Sequence, residues 1–166
     1  VPDMLDFFLY GFESEKFNYE HLSGSWKTMK LNDIAKRAIE WLRKPLRKAL
    51  RASVHFTEPF RIENTAKVAS EILSIGNQYG EGWLLTGEMV ELIREGVENI
   101  VCLQPFGCLP NHVTGKGMMK AIRKMNPQAN IAAIDYDPGA SDVNQLNRIK
   151  LMMSTAHKKM EDAKSQ

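Results

Sequence analysis

Apolar positions between Leu31 and Leu50 recur three and four residues apart. Leu31, Ile34, Ala35, Ala38, Ile39, Leu42, Leu46, Ala49 and Leu50 share one side of a helix wheel, which predicts an amphipathic helix with that side turned inward. Asn32 or Asp33 is placed to cap its start. Pro45 lies inside the pattern, where its ring crowds the carbonyl of Trp41 and removes a hydrogen bond, so a kink or break is expected there. A second helical pattern runs from Ile62 to Ile75 through Ala66, Val68, Ala69, Ile72 and Leu73, followed by a loop marked by Gly76, Gly80 and Gly82. A third covers Leu84 to Glu95 and stops at Gly96. Residues 1–30 open on the apolar and aromatic run Met4 to Tyr10. Their periodicity is weak, and the segment is expected to dock on parts of the polypeptide outside this chain.

The last third changes period. Asn99-Ile100-Val101-Cys102-Leu103 is a short apolar run of the kind buried in a parallel sheet. A loop with Pro105, Gly107 and Pro110 follows, then a helix from Gly115 to Met125 ended by Asn126-Pro127. Ile131 to Ile134 is a second strand, leading into Asp135-Tyr136-Asp137-Pro138-Gly139. Ser141 or Asp142 can cap a final helix with Val143, Leu146, Ile149, Met153 and Met160 on one face, and residues 161–166 form a polar tail expected to fray. Strand, helix, strand, helix is a βαβ order, so the fold class is α/β: a small parallel sheet flanked by helices, with an extra helical segment at the N-terminal side. The division is 1–58 for the helical segment, 59–160 for the α/β domain and 161–166 for the tail.

In such a sheet, ligands bind beyond the carboxyl ends of the strands. Two loops take that place, Gln104 to Thr114 and Tyr136 to Ser141, and they should be neighbours in space. The first contains Cys108 close to a helix start, where partial positive charge favours a thiolate. Cys102 falls inside the apolar run and reads as a packing residue. The two thiols are open to packing, metal or redox roles. A zinc site from Cys102, Cys108 and His112 lacks a fourth ligand and a known spacing. Gly115-Lys116-Gly117 fails as a phosphate loop, because Pro110 and Gly117 stand where Gly and Ser or Thr are needed. Lys116 at a helix start can still meet an anion, against the plainer reading of a flexible helix start. Asp135 and Asp137 suit acid–base or cation chemistry, though turn formation and capping are their commoner work.

Composition adds bounds. The chain has 166 residues, a formal net charge of +2 and two cysteines, so no overall field points to nucleic acid and no secreted disulfide scaffold is implied; a reducing cytoplasm is expected. No apolar stretch reaches the roughly 18 residues of a membrane span. Val1-Pro2-Asp3 has neither a methionine nor a signal-peptide layout, and is expected to be a cut inside a longer polypeptide. Lys36, Arg37, Arg43, Lys44, Arg47, Lys48 and Arg51 form a basic face opposite the apolar one. Either it is a solvated helix face, the commoner case, or it meets an acidic partner, a nucleotide or a CoA phosphate. Nucleic acid is disfavoured because no stacking aromatics are interleaved with these charges.

Four stretches also resemble a known family. Glu81-Gly82-Trp83-Leu84-Leu85-Thr86-Gly87-Glu88, the run Asn99 to His112 (NIVCLQPFGCLPNH), Asp135-Tyr136-Asp137-Pro138-Gly139 and Asn144 to Lys150 (NQLNRIK) are similar to the C-terminal region of large CoA-substrate-specific enzyme activases, related to 2-hydroxyacyl-CoA dehydratase subunits. The match spans residues 60–153. The resemblance implies a Rossmann-like domain of the kind that forms the C-terminal part of the dehydratase subunits. It also implies an ATP-driven electron transfer in which a dehydratase-type partner receives the electron on a [4Fe-4S] cluster. A cysteine about seven residues after the strand's apolar run ligates the cluster in those proteins. Cys108 holds that position after Val101, with Asp135 and Arg148 in the later ones. Gln104, Asn111, His112, Lys116, Asp135, Asp137 and Arg148 would then surround the ligand or line a pocket, and Cys102 has no counterpart. A cubane needs three or four ligands, and the family's other cysteines lie in preceding domains, so this chain alone is expected to be inactive. Expected partners are other domains of the same polypeptide and an activase or dehydratase-type subunit, with neither nucleic acid nor membrane. A docking module contacting its partner through the basic face is the alternative, and an acyl-CoA pocket around Lys116 and Asp135 is a third.

Overall fold

The computed structural model describes residues 3–165, so Val1, Pro2 and Gln166 lie outside the described residues. Its first element is a helix that hydrophobic periodicity alone did not reveal, α1 (Met4–His21), with Asp3 as N-cap accepting the Leu5 N–H at 3.0 Å. The inward residues of α1 are Asp6, Leu9, Tyr10 and Ser14, a mixed set whose polar members hide the helical period. Helix α2 (Trp26–Arg51) returns antiparallel to it: Lys36 pairs with Glu13, and Arg43 pairs with Asp6. Both partners shift by seven positions, two turns of helix.

Helix α2 corrects three expectations. It starts five residues earlier than the apolar pattern, at Ser25 as N-cap, so Asn32 and Asp33 are interior and Asp33 pairs with Arg37 at 2.9 Å. It continues through Pro45 without a break. Trp41 and Pro45 are both exposed, so the carbonyl that loses its partner is open to water. Its orientation is also reversed. Leu31, Trp41 and Leu42 are 66%, 64% and 68% exposed, whereas Arg43 and Arg47 are 5% and 6% exposed. The expected solvated basic face is thus partly interior.

The physical reason is a carboxylate set waiting for those cations. Arg43 donates from Nη2 to Asp3 Oδ2 at 2.6 Å, and from Nη1 to Glu40 Oε1 at 2.9 Å and Asp6 Oδ1 at 3.3 Å. Arg47 donates from Nη1 to Glu58 Oε1 and the Pro59 carbonyl, each at 2.8 Å, and from Nη2 to the Phe60 carbonyl at 3.1 Å. Lys36 binds Glu13 and reaches Glu63 at 3.1 Å. Burial acts to lower the Lys36 pKa, but its bonds to Glu13 and Glu63 prevail and raise it, so the ammonium stays charged through neutral pH. Burial dominates at Asp6, raising its pKa despite the opposing pull of Arg43.

The apolar core beside this network contains Leu9, Tyr10, Ile62, Ala66, Ala69, Trp83 and Leu84. Trp83 stacks at a tilt on Tyr10, with ring centroids 4.8 Å apart, and donates from Nε1 to Ser14 Oγ at 3.2 Å. Gly82 has φ +43, and a Cβ there would lie 2.1 Å from the Asn77 carbonyl oxygen; a Cβ at Gly87 would meet Thr65 Cγ2 at 2.7 Å. The Gly82-Trp83-Gly87 pattern therefore serves close packing. Helix α3 (Ile62–Ser70) is shorter than its pattern, because the Ser70 hydroxyl donates to the Lys67 carbonyl and the backbone tightens into turns after it.

The chain separates into two units, Val1–Glu88 and Met89–Gln166. The break expected at 58–59 lies in the irregular stretch 53–61 of the first unit. Helix α4 (Trp83–Arg94) ends within the second, where Gly96 at φ +89 lets its N–H reach the Ile93 carbonyl and the Val97 N–H reach that of Leu92.

The second unit carries a two-stranded parallel sheet, β1 (Asn99–Pro105) and β2 (Asn130–Tyr136), in register from Asn99↔Asn130 to Pro105↔Tyr136. Between the strands lie α5 (Met119–Met125) and, before it, an irregular helical stretch: a π turn over Asn111–Gly115 and a 3-10 turn over Lys116–Met118. Helical backbone thus begins at Leu109, earlier than the expected Gly115. β1 alternates instead of being buried on both sides, with Ile100, Cys102 and Gln104 inward and Val101 and Leu103 exposed. Helix α6 (Asp142–Lys164) runs on through residues expected to fray. Its inward line is Gln145, Ile149, Met152, Ala156 and Lys159, while Val143, Leu146, Met153 and Met160 of the expected apolar face are exposed. Hydrogen bonds seat it: Asn130 Nδ2 donates to the Met152 carbonyl, and Gln145 Nε2 to that of Asp135, each at 2.9 Å. The architecture is mixed α/β, with six α-helices and two strands among the described residues, and no described helix is long and apolar enough to cross a membrane.

Removing one partner of a buried charge cluster strands the others. Arg43→Ala should lower the unfolding free energy by about 3–5 kcal/mol in urea titrations, whereas Arg37→Ala, at an exposed position, should stay within about 0.5 kcal/mol. Equal effects would show that the network contributes nothing special. A second expectation concerns acid. Hydrogen bonds from Arg51 and then Arg47 hold the Glu58 carboxyl down to about 2 from its ordinary 4.5. A depressed carboxylate stabilises fully above the ordinary value and loses that contribution as pH falls toward the folded one. Between pH 4.5 and about 2 the wild type should therefore lose stability more steeply than Glu58→Gln, as read from urea midpoints.

Candidate functional site

The candidate site lies where β1 ends. The Cys108 N–H closes a turn onto the Pro105 carbonyl at 3.2 Å, with Gly107 at φ +66 in the position that needs a positive value. The chain then enters its helical stretch, the His112 N–H bonding the Cys108 carbonyl at 3.2 Å. Beside it, the Phe106 N–H donates to the Tyr136 carbonyl at 3.2 Å, so the turn after β1 adjoins the end of β2.

Cys108 is half-buried, and its thiol donates to Asn111 Oδ1 at 2.8 Å. Asn111 Nδ2 in turn donates to the Leu103 carbonyl at 2.9 Å. That carbonyl also accepts Gln104 Nε2 at 3.2 Å, and the same Nε2 approaches Cys102 Sγ at 3.2 Å. A hydrogen-bonded chain thus runs from one thiol to the other through Asn111, the Leu103 carbonyl and Gln104. Gln104 is almost wholly buried, and its Oε1 has no hydrogen-bond partner among the described residues. Cys102 is buried, which raises its pKa and opposes thiolate formation. Both cysteines are unbridged.

A second group gathers at the carboxyl end of β2. Lys116 Nζ lies 3.1 Å from Asp135 Oδ1 and 3.3 Å from Oδ2, and Arg148 Nη2 is 3.8 Å from Asp135 Oδ2. Arg148 Nη1 donates to the Ala133 carbonyl at 2.9 Å. Asp135 and Arg148 share the wall of a cavity of about 490 Å³ with Gly139, Ser141, Asn144 and Gln145. Asp137 stands apart in a turn, its Oδ1 accepting the Gly139 N–H at 2.9 Å. Helix α6 is capped by Ser141, whose side chain makes no capping bond.

The structure thus joins Cys108 to Asn111 and Gln104, and joins Lys116 to Asp135 and Arg148. His112 is exposed. Among the described residues no group of three or more His, Cys, Asp or Glu side chains is arranged to hold a metal ion, so Cys102, Cys108 and His112 do not converge. Sequence pattern missed the partners of the basic face, Asp3, Asp6, Glu13, Glu40, Glu58 and Glu63. The signal available was the helical spacing of Asp3, Asp6, Tyr10 and Glu13, an acidic line matching Lys36, Glu40, Arg43 and Arg47.

Comparison with protein-family models, with curated proteins and with solved structures finds no match to this chain.

The two thiols should differ in reactivity. Under native conditions iodoacetamide should label Cys108 well before Cys102, as followed by peptide mass spectrometry, and Cys102 should react at an appreciable rate only as the chain unfolds. Labelling in the reverse order would contradict the described burial.

Proposed function

We propose that this chain supplies one thiolate, from Cys108, to a [4Fe-4S] cluster used in ATP-driven electron transfer by a CoA-substrate-specific activase or 2-hydroxyacyl-CoA dehydratase-like protein. In this proposal residues 59–160 are a Rossmann-like domain of the dehydratase type, working in the reducing cytoplasm with other domains of its polypeptide and a dehydratase-type or activase partner. The observation that carries it is the half-buried thiol at the carboxyl end of a parallel strand, beside the end of the neighbouring strand, within the run Asn99–His112 that resembles the family. The π turn that follows adds support, since such turns recur at functional sites.

The residues present do not fit a complete cluster. A cubane takes three or four ligands, the chain has two cysteines, and Cys102 is buried against Gln104. The proposal therefore assigns a single ligand to this chain and the remainder to other segments or subunits. Asn111 would fix the direction of the Cys108 side chain through its bonds to Sγ and the Leu103 carbonyl. Docking through Arg43 and Arg47 loses support, because both are engaged internally, whereas Arg37, Lys44 and Lys48 of the same face are exposed.

Anaerobic reconstitution with iron and sulfide tests the assignment, using the chain joined to or mixed with the segments that bring the other thiolates. Cys108→Ser should lower bound iron and alter the visible and electron paramagnetic resonance spectra, and Cys102→Ser should leave both unchanged. Identical cluster content and spectra in wild type and Cys108→Ser would end the proposal.

A further inference from the structure

Helix α2 is the most unusual surface of the first unit. With Lys36, Arg43 and Arg47 held inward, Leu31, Ile34, Trp41, Leu42 and Leu46 form an exposed apolar stripe along about four turns of helix. At about 100° per residue these side chains cover an arc of about 140°, wide enough to meet one further helix. A continuous apolar strip of this kind on a folded unit marks an interaction surface. Along one edge of the stripe run Lys30, Arg37, Lys44 and Lys48, all exposed. The other edge, toward Asn32, Ile39 and Leu50, carries no charge and turns into the unit.

This one-sided charge selects the occupant. A second copy packed antiparallel would set the cationic edge against itself, and one packed parallel would set it against the uncharged edge of Asn32, Ile39 and Leu50; neither neutralises it. A helix lying in a lipid headgroup layer keeps a strongly charged face opposite its apolar one open to water, whereas on α2 that opposite face is buried, with Lys36, Arg43 and Arg47 paired to carboxylates. We propose that the α2 stripe docks an amphipathic helix of a protein partner, with leucine-type side chains on the stripe and glutamate or aspartate residues along the edge facing Lys30, Arg37, Lys44 and Lys48. Apolar burial supplies the adhesion, and the charge edge fixes which way and which partner.

The test uses two synthetic helical peptides with the same leucine seam, one with glutamates along one edge and one with lysines there. Binding to the whole chain is read by titration calorimetry and by the fluorescence of Trp41, which lies in the stripe. The glutamate peptide should bind one to one, about tenfold or more tighter than the lysine peptide, with a blue shift of the tryptophan emission. Leu42→Asp should weaken it by about tenfold or more, and the pair Lys44→Glu with Lys48→Glu should reverse the preference. These side chains are exposed, and circular dichroism and urea midpoints matching wild type would confirm that the fold is kept. Equal binding of the two peptides would overturn the proposal, as would indifference to Leu42→Asp. So would binding to phosphatidylserine-containing vesicles with none to the peptides, or a chain dimer in sedimentation that Leu42→Asp abolishes.

Discussion

The buried pairing of Lys36, Arg43 and Arg47 with surrounding carboxylates is the constraint from which the first unit follows. A guanidinium taken out of water costs several kcal/mol unless its donors are met. The Nη donors of Arg43 are met by Asp3, Asp6 and Glu40, and those of Arg47 by Glu58, Glu40 and two backbone carbonyls, while the buried Nε of each has no partner among the described residues. Apart from the pairs with Glu40, which lies in α2 itself, these bonds tie α2 to α1, to the segment at 58–60 and, through Lys36 and Glu63, to α3. The arginine fork matches a carboxylate in direction as well as charge. The pairs therefore set the antiparallel register, which a merely greasy contact would leave free to slide. Any half-turn rotation of α2 would bring Leu42 inward and part the five carboxylates outside α2, Asp3, Asp6, Glu13, Glu58 and Glu63, from their cations.

That same choice turns the apolar side of α2 outward, and α6 shows a milder version in the second unit. Its seat on β2 is made by Gln145, Asn130 and Met152, and Lys159 binds Glu98 at 3.0 Å. Leu146 and Met153 face away. In both helices, side chains with directional bonds share the interior contact, on α6 beside Ile149 and Met152, and several large apolar residues remain exposed. Strand β1 repeats the theme, since Val101 and Leu103 are exposed while Ile100, Cys102 and Gln104, alternating with them, are buried.

The sequence made some of this legible and concealed the rest for definite reasons. The third helix, its stop at Gly96, the two strands and the adjacency of their following loops were readable, because turn residues and short apolar runs act locally. The orientation of α2 was not. A period of three to four residues locates two opposite faces, but which one turns inward depends on what faces it, and the acidic line of α1 was masked by Leu9 and Tyr10 between its carboxylates. α1 itself escaped for the same reason. At the candidate site, the pairing of Lys116 with Asp135 and the exposure difference between the cysteines could be anticipated from position. The Cys108–Asn111 bond could not, because it depends on the helical stretch beginning at Leu109 rather than at Gly115.

The two cysteines show how a short stretch of backbone assigns opposite fates to identical side chains. Cys102 shares the inward side of β1 with Ile100 and Gln104, opposite Ala133, so strand alternation alone removes it from solvent. Alternation ends at Pro105. Gly107 then reverses the chain with a φ that other residues resist, and the direction of Cys108 is set afresh by the turn and by Asn111. A side chain at position 107 would meet no neighbour but would strain that turn through its positive φ, a strain that Cys102, held within the strand, does not share. Strand alternation seals one thiol, and the end of that alternation in a left-handed turn leaves the other half-buried, held by Asn111.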